Sequence, residues 1–262
     1  MRSLWPYIIP EPIKVHGTLM LYHKLDPRRS LGWLYMTDYE PATTELFHEM
    51  VRPGMAVADV GAQIGYYTLL AAKLAGAAGH VYAFEPEPSV YRILEANARM
   101  NGFAGSVETI NAAVGDTERR ARLFQLGVGG SLFQAQGTVG TVEVDVTSLD
   151  KFFADRGWPP LHLVKVDTEG AEPLVLRGMR QLVQRHPDLM LVIEFAPSNL
   201  RTAATATREL LMELCELGFT QVTILAGDGR RLEIPRDIPR LAELEPSLPQ
   251  VVNLFCRRAT AE

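Results

Sequence analysis

The feature that most constrains this chain is an alternation of short apolar runs with helical stretches. The runs are Met55 to Val60, His80 to Phe84, Ser106 to Val114, Leu161 to Val166 and Leu189 to Phe195. Each is of strand length and bounded by glycine, proline or polar residues, so each reads as a buried strand. Between and after them lie helical patterns over Ile64 to Leu74, Pro88 to Met100, Pro173 to Gln184 and Ala203 to Leu217. In the second, Val90, Leu94 and Ala98 recur at four-residue spacing and Glu95 can pair with Arg99 across one turn. Strand, helix, strand units repeated in this way imply a parallel sheet covered on both faces. Thr220 to Leu225 and Val251 to Cys256 are the last strands, and the proline-rich link between them suits an antiparallel pair at one sheet edge. Ala121 to Gln125 and Val142 to Val146 read as extra strands around a glycine-rich loop, Gly127 to Gly140, followed by a short helix from Leu149 to Arg156.

With 262 residues, the chain accommodates one α/β domain over 51–262 and an N-terminal extension over 1–50 that covers the site. The extension carries a strand signal at Lys14 to Tyr22 and a helix from Pro41 to Val51, stopped by Pro53-Gly54. No internal repeat or low-complexity tract interrupts this plan. The net charge of -5 argues against nucleic acid as a partner. The basic pairs Arg28-Arg29, Arg119-Arg120, Arg230-Arg231 and Arg257-Arg258 read as solvated surface charge. Cys215 and Cys256 lack metal-ligand spacing and read as buried thiols in a reducing compartment. The N-terminus has no secretory pattern and no run is long enough to span a membrane, so the expectation is a cytoplasmic protein with no membrane partner. Nothing in the pattern fixes an oligomeric state.

The segment DVGAQIGYYTLLAA, Asp59 to Ala72, leads from the end of the first strand into a helix. Open α/β sheets bind ligands at such carboxyl ends. Gly61 permits close backbone approach, Gly65 permits tight packing, and the helix N-terminus offers N–H groups to an anionic ligand group. A dinucleotide fingerprint beginning at Gly61 needs glycine where Gln63 and Tyr66 stand, so that pattern fails. Glu85 ends the next strand about 20 residues past Gly65, where an acid accepts from a ribose diol in nucleotide-binding folds. At the end of the third strand, Ala112 and Ala113 leave room for a flat base and Asn111 can bond its edge.

Lys165 and Asp167 are two residues apart and share a strand face. Asp167, Glu169 and Glu172 cluster after that strand, and Glu194 ends the next. One reading makes Lys165, Asp167 and Glu194 the catalytic group that positions and deprotonates a substrate hydroxyl. An alternative has Asp167 and Glu194 hold a divalent metal through oxygen ligands. The metal-free form is favoured.

These residues resemble a known family. YEP (Tyr39 to Pro41), DVGAQIGYYTLLAA, VYAFEPEP, NAAVGD and LVKVDTEGAEPLVLRG, in that order, are similar to the FkbM family of S-adenosylmethionine-dependent methyltransferases, as is the terminal VVNLFCRR. The resemblance implies a class I methyltransferase Rossmann-like fold, with a mostly parallel seven-stranded sheet, an antiparallel last strand and helices on both faces. It implies S-adenosylmethionine as cofactor, with Asp59, Gly61 and Gly65 framing its methionine part and Glu85 its ribose. Glu40, Ala62, Gln63, Tyr66, Tyr67, Pro86, Asn111, Ala112, Ala113 and Asp167 complete the candidate cofactor set. Relatives methylate hydroxyls of macrolides and sugars, so a small-molecule hydroxyl is the implied acceptor. Gln63 replaces the family's usual asparagine, and Thr168 its usual valine or isoleucine. Trp5, Tyr22, Trp33, Tyr35 and Tyr39 are candidates for the acceptor pocket. An NAD-dependent oxidoreductase, a non-catalytic nucleoside-binding domain and a nucleic-acid 2′-hydroxyl methyltransferase are the rival readings.

Overall fold

The computed structural model describes residues 12–22, 39–125, 129–226, 231–233, 236–237 and 251–258. A hairpin of β1 (Ile13–Val15) and β2 (Thr18–Met20) precedes helix α1 (Pro41–Met50). Then follow β3 (Ala56–Val60), α2 (Tyr66–Ala75), β4 (His80–Phe84), α3 (Pro88–Met100) and β5 (Val107–Ile110). An inserted group comes next: β6 (Ala113–Val114), β7 (Arg119–Gln125), β8 (Gly130–Ser131) and β9 (Gly140–Thr147). The chain continues through α4 (Leu149–Ala154), β10 (Leu163–Val166), α5 (Glu172–Arg177), α6 (Arg180–Arg185) and β11 (Met190–Phe195). It ends with α7 (Pro197–Thr202), α8 (Thr207–Glu216), β12 (Phe219–Leu225), β13 (Arg231–Glu233) and β14 (Val252–Arg258).

The main sheet runs β13-β12-β14-β11-β10-β3-β4-β5. Strands β11, β10, β3, β4 and β5 are parallel, while β14 is antiparallel to both β11 and β12. This is the class I methyltransferase arrangement of seven strands, extended by the three-residue β13. The last strands do form an antiparallel pair, but not with β14 at the edge: it is inserted between β11 and β12, where apolar residues on both faces of VNLFC bury it.

Register divides the sheet into two faces. Ala58, Val60, Val164, Val166, Leu191, Ile193 and Phe195 pack on one side with α4 to α8 residues such as Phe153, Leu176 and Leu214. Val57, Val81, Leu163, Val192 and Phe255 face the other side, against α1, α2 and α3. Val15 and Met20 of the N-terminal hairpin join this second cluster. Two asparagines fix the hairpin to α3. Asn101 bonds both N–H and C=O of Leu19 at 2.8 and 2.6 Å, and Asn97 does the same for Leu21 at 2.7 and 3.0 Å.

Three elements differ from the sequence reading. The run from Ser106 to Val114 is one strand in pattern but two in space, because the chain leaves the main sheet after Ile110 and β6 pairs with β9 instead. The helix expected over Pro173 to Gln184 breaks at Gly178, which lies so close to the Gly115 carbonyl that a Cβ there would stand 2.0 Å from its oxygen. The helix expected from Ala203 begins at Thr207, after the separate turn of α7. Cys256 is buried, whereas Cys215 is half-exposed rather than buried. Among the described residues, no helix is long and apolar enough to cross a membrane.

Candidate active site

At the carboxyl ends of β3, β4, β10 and β11, the face covered by α1 and α2 changes from apolar to polar. Asp59 follows Val57, Glu85 follows Ala83, Lys165 follows Leu163, and Glu194 follows Val192, each at strand spacing. The alternation that builds the apolar core thus delivers these side chains to one place.

The first turn holds the glycine loop. Gly61 has φ 83°, and a Cβ on it would stand 1.8 Å from the Asp167 carbonyl oxygen, so the ends of β3 and β10 touch there through backbone alone. Gly65 has φ 100° and begins α2, with Leu94 filling the space where a side chain would be. Between them, Gln63 takes a left-handed conformation (φ 51°), which aims its backbone N–H at Glu85 Oε2, 2.9 Å away. The Glu87 N–H donates to Glu85 Oε1 at 2.8 Å. Burial pushes the Glu85 carboxyl up to about 8, against the pull of these two donors. Each oxygen retains a lone pair for a further donor.

The second group surrounds Lys165, which is 2% exposed. Its ammonium stands 2.7 Å from Asp167 Oδ2 and 4.8 Å from the centre of the Tyr67 ring, and it neighbours Asp59 across the β10–β3 register. Burial alone would lower its pKa, but Asp167, Glu40 and Asp59 together hold it above the ordinary lysine value. Tyr67 donates its hydroxyl to Glu40 Oε2 at 2.8 Å, and Asn253 Nδ2 donates to the same oxygen at 2.8 Å. Asp59 accepts from Thr68 at Oδ2, while its buried Oδ1 has no hydrogen-bond partner among the described residues.

Glu172 leaves the acid cluster expected after β10. Its carboxylate turns inward and accepts from the backbone N–H groups of Thr168 and Gly170 and from the Thr168 hydroxyl, closing the turn into α5. Glu169 stays beside the site, held by Asn199 Nδ2 at 2.8 Å. Oxygens of Asp167, Glu169 and Glu194 lie within 4.8 Å of one another, a spacing that oxygen ligation of a hard cation can use. Burial, then the carboxylates of Asp167, Glu172 and Glu169, push the Glu194 pKa well above its usual value.

Both groups open into one cavity of about 250 Å³. Of the sequence candidates, Glu40, Asp59, Gly61, Ala62, Gln63, Tyr66, Tyr67, Glu85, Pro86, Ala112, Ala113, Lys165, Asp167 and Glu194 line it. Gly65 and Asn111 do not. Gly65 stands behind the wall, and the Asn111 amide donates to the carbonyls of Glu85 and Pro86 at 2.8 and 3.0 Å, so it braces the strand ends rather than facing a base. Tyr39 also lines the cavity; Trp5, Trp33 and Tyr35 lie outside the described residues.

The inserted hairpin carries no motif that marks it as part of the site, yet Leu123, Gly129, Gly130 and Leu132 close one side of the cavity. Gln125 ties the insertion to Glu87 at 3.0 Å, and the Ser131 hydroxyl donates to the Glu169 carbonyl at 2.8 Å. Asn253 was also missed; its signal was a lone amide in the apolar run VVNLF.

Sheet order and site together define a methyltransferase-type α/β domain. A family model described as the methyltransferase FkbM domain matches residues 59–220, and the chain belongs to that family. Over 161 residues it is 32% identical to the 31-O-demethyl-FK506 methyltransferase FkbM of Streptomyces tacrolimicus, a match covering 49% of this chain and 61% of that protein. Two solved structures share the fold at low identity. A SAM-dependent O-methyltransferase of Thermotoga maritima is 11% identical with a TM-score of 0.50, covering 96% of this chain and 79% of that one. A protein described as an rRNA methylase of Clostridium thermocellum is 9% identical with a TM-score of 0.51, covering 85% of this chain and 96% of that one.

Proposed function

We propose that the protein is an S-adenosylmethionine-dependent methyltransferase that methylates a hydroxyl of a small molecule such as a sugar or polyketide. The observation that carries this reading is the convergence, in one cavity, of Glu85, the open backbone at Gly61 and the Lys165–Asp167–Glu194 group. The residues suit the cofactor. Glu85 keeps acceptor capacity for a ribose diol, Asp59 Oδ1 is a buried acceptor without a partner among the described residues, and Ala112 and Ala113 line the cavity with small side chains. When bound, S-adenosylmethionine supplies an electrophilic methyl group on a positively charged sulfur.

The chain's own task is then to hold an acceptor oxygen in line and take its proton. Asp167 already gives Oδ2 to Lys165, whereas Glu194 is buried among carboxylates that make it proton-seeking. Glu194 is therefore the general base in this reading, and the Lys165–Asp167 pair orients the acceptor. In this reading the acceptor proton would pass to the Glu194 carboxylate while the Lys165–Asp167 pair keeps the acceptor oxygen aimed at the methyl group that the bound cofactor would supply. Lys165 places a cation beside Asp167 without a metal, so the metal-free form is retained.

The test is methyl transfer from labelled S-adenosylmethionine to a panel of macrolide, sugar and oligonucleotide hydroxyls. Transfer to a small hydroxyl, lost by about 100-fold or more in Glu194→Gln with cofactor binding kept, supports the assignment. Wild-type turnover in Glu194→Gln removes the base, and transfer to the oligonucleotide alone removes the acceptor class.

A further inference from the structure

Glu40 is placed for a task that its own helix does not use. It stands at the N-cap of α1, where an acid ordinarily bonds the first turn with its side chain, yet it makes no such bond and holds a left-handed conformation at φ 44°. Its carboxyl group joins the cavity wall instead. Two distant parts of the chain hold it there. The Tyr67 hydroxyl and Asn253 Nδ2 each donate to Oε2 at 2.8 Å. Asn253 Nδ2 also donates to the Thr43 hydroxyl at 3.0 Å, and since a carboxylate only accepts, the amide is fixed with its nitrogen toward Glu40. Both donors use one oxygen, which leaves Oε1 for a ligand. The nearby Lys165 ammonium is engaged by Asp167 at 2.7 Å. Tyr67 itself belongs to the first turn of α2, whose N-cap, Gly65, supplies no side-chain cap. The N–H groups of that turn suit a ligand carboxylate. An α-amino acid carries its ammonium on the carbon next to its carboxylate, so a tail that meets this turn presents a cation to the acid that Tyr67 holds.

Resting on the cofactor reading above, we infer that Glu40 receives the ammonium of the cofactor's amino-acid tail and that Asn253 is the residue that positions Glu40 for it. The contact is with the tail, so it is made alike before and after methyl transfer. It selects a nucleoside that carries an α-amino acid over one that carries a plain thioether or acid chain. Asn253 does not line the cavity and acts only through Glu40, joining the last strand to the start of α1 across 213 positions of sequence.

Calorimetric titration of the whole protein with three probes tests this. They are S-adenosylhomocysteine, its analogue lacking the amino group, and 5′-methylthioadenosine, which lacks the amino-acid tail. Wild-type protein should bind S-adenosylhomocysteine about tenfold or more tighter than the deamino analogue. Glu40→Gln should close most of that gap while 5′-methylthioadenosine stays within about twofold of its wild-type affinity. Asn253→Leu should narrow the gap several-fold with the tail-less probe again unchanged. Glu40→Asp keeps the charge but withdraws it by one methylene, so it should fall between wild type and Glu40→Gln, and it carries the test if Glu40→Gln does not fold. A gap that these variants leave intact overturns the inference, as does an equal loss of all three probes in Glu40→Gln. Wild-type protein that binds all three at one affinity removes the inference and leaves the cofactor reading standing. Folded wild-type protein that binds none of them overturns both.

Discussion

Lys165 and Asp167 lie on the same face of one strand with 2.7 Å between ammonium and carboxylate, and only 2% of the lysine side chain is exposed. A buried lysine of this kind is tolerated because Asp167, Glu40 and Asp59 surround it, and the same lysine makes those acids tolerable in return. Lys165→Met should therefore cost about 3–5 kcal/mol, since it strands the carboxylates without a counter-charge. Denaturant unfolding measures this. A loss below about 1 kcal/mol would mean that the acids are already protonated in the folded state.

Gly61 separates conformational from steric demands. Gly61→Ala must fit a Cβ where the Asp167 carbonyl stands, at φ 83°. Gly54 has nearly the same φ, 85°, with nothing within 4 Å. Gly54→Ala should cost about 1 kcal/mol, for backbone strain alone, and Gly61→Ala several times more. Equal losses would show that the contact between β3 and β10 is soft.

Glu85 links stability to pH. Its folded pKa is raised from 4.5 to about 8, so the folded protein holds a proton that the unfolded chain releases across that window. Stability of the ligand-free protein should accordingly fall as pH rises from about 5 to about 8. Glu85→Gln should reduce the slope, gaining on the order of 2 kcal/mol at the upper end relative to wild type. Melting temperatures across the range check this, and an unchanged slope would place the titration elsewhere.

The N-terminal hairpin depends on two amides. Asn97 is fully buried and also donates to the Ile64 carbonyl at 2.7 Å, so Asn97→Ala leaves several backbone groups unsatisfied and should cost about 2–3 kcal/mol. Asn101 is more exposed, and Asn101→Ala should cost about 1 kcal/mol. Hydrogen exchange at the Leu19 and Leu21 amides should accelerate in both variants. Unaltered exchange would mean that the hairpin is held by Val15 and Met20 alone.

The parallel strands and their polar ends were legible because one physical rule wrote both. Val57-x-Asp59 and Leu163-x-Lys165-x-Asp167 alternate along a single face, so the pattern that finds the core also finds the site. Tertiary contacts hid the rest. Nothing local marks the turn after Ile110 or the approach of Gly178 to Gly115, because each is set by a partner distant in sequence. Glu172 and Glu194 look alike in sequence as acids near strand ends. Only the fold turns Glu172 toward the Thr168 and Gly170 amides and leaves Glu194 lining the cavity. Asn111 was drawn away from the cavity by two carbonyls of a neighbouring loop.

A site built around Glu85 and Gly61 should bind S-adenosylmethionine, and calorimetry measures this directly. Calorimetric titration of wild-type protein and Glu85→Ala with S-adenosylmethionine, and separately with NAD, should show roughly micromolar affinity for S-adenosylmethionine alone, weakened about tenfold or more by the substitution. Folded wild-type protein that binds NAD, or binds neither, would contradict the account.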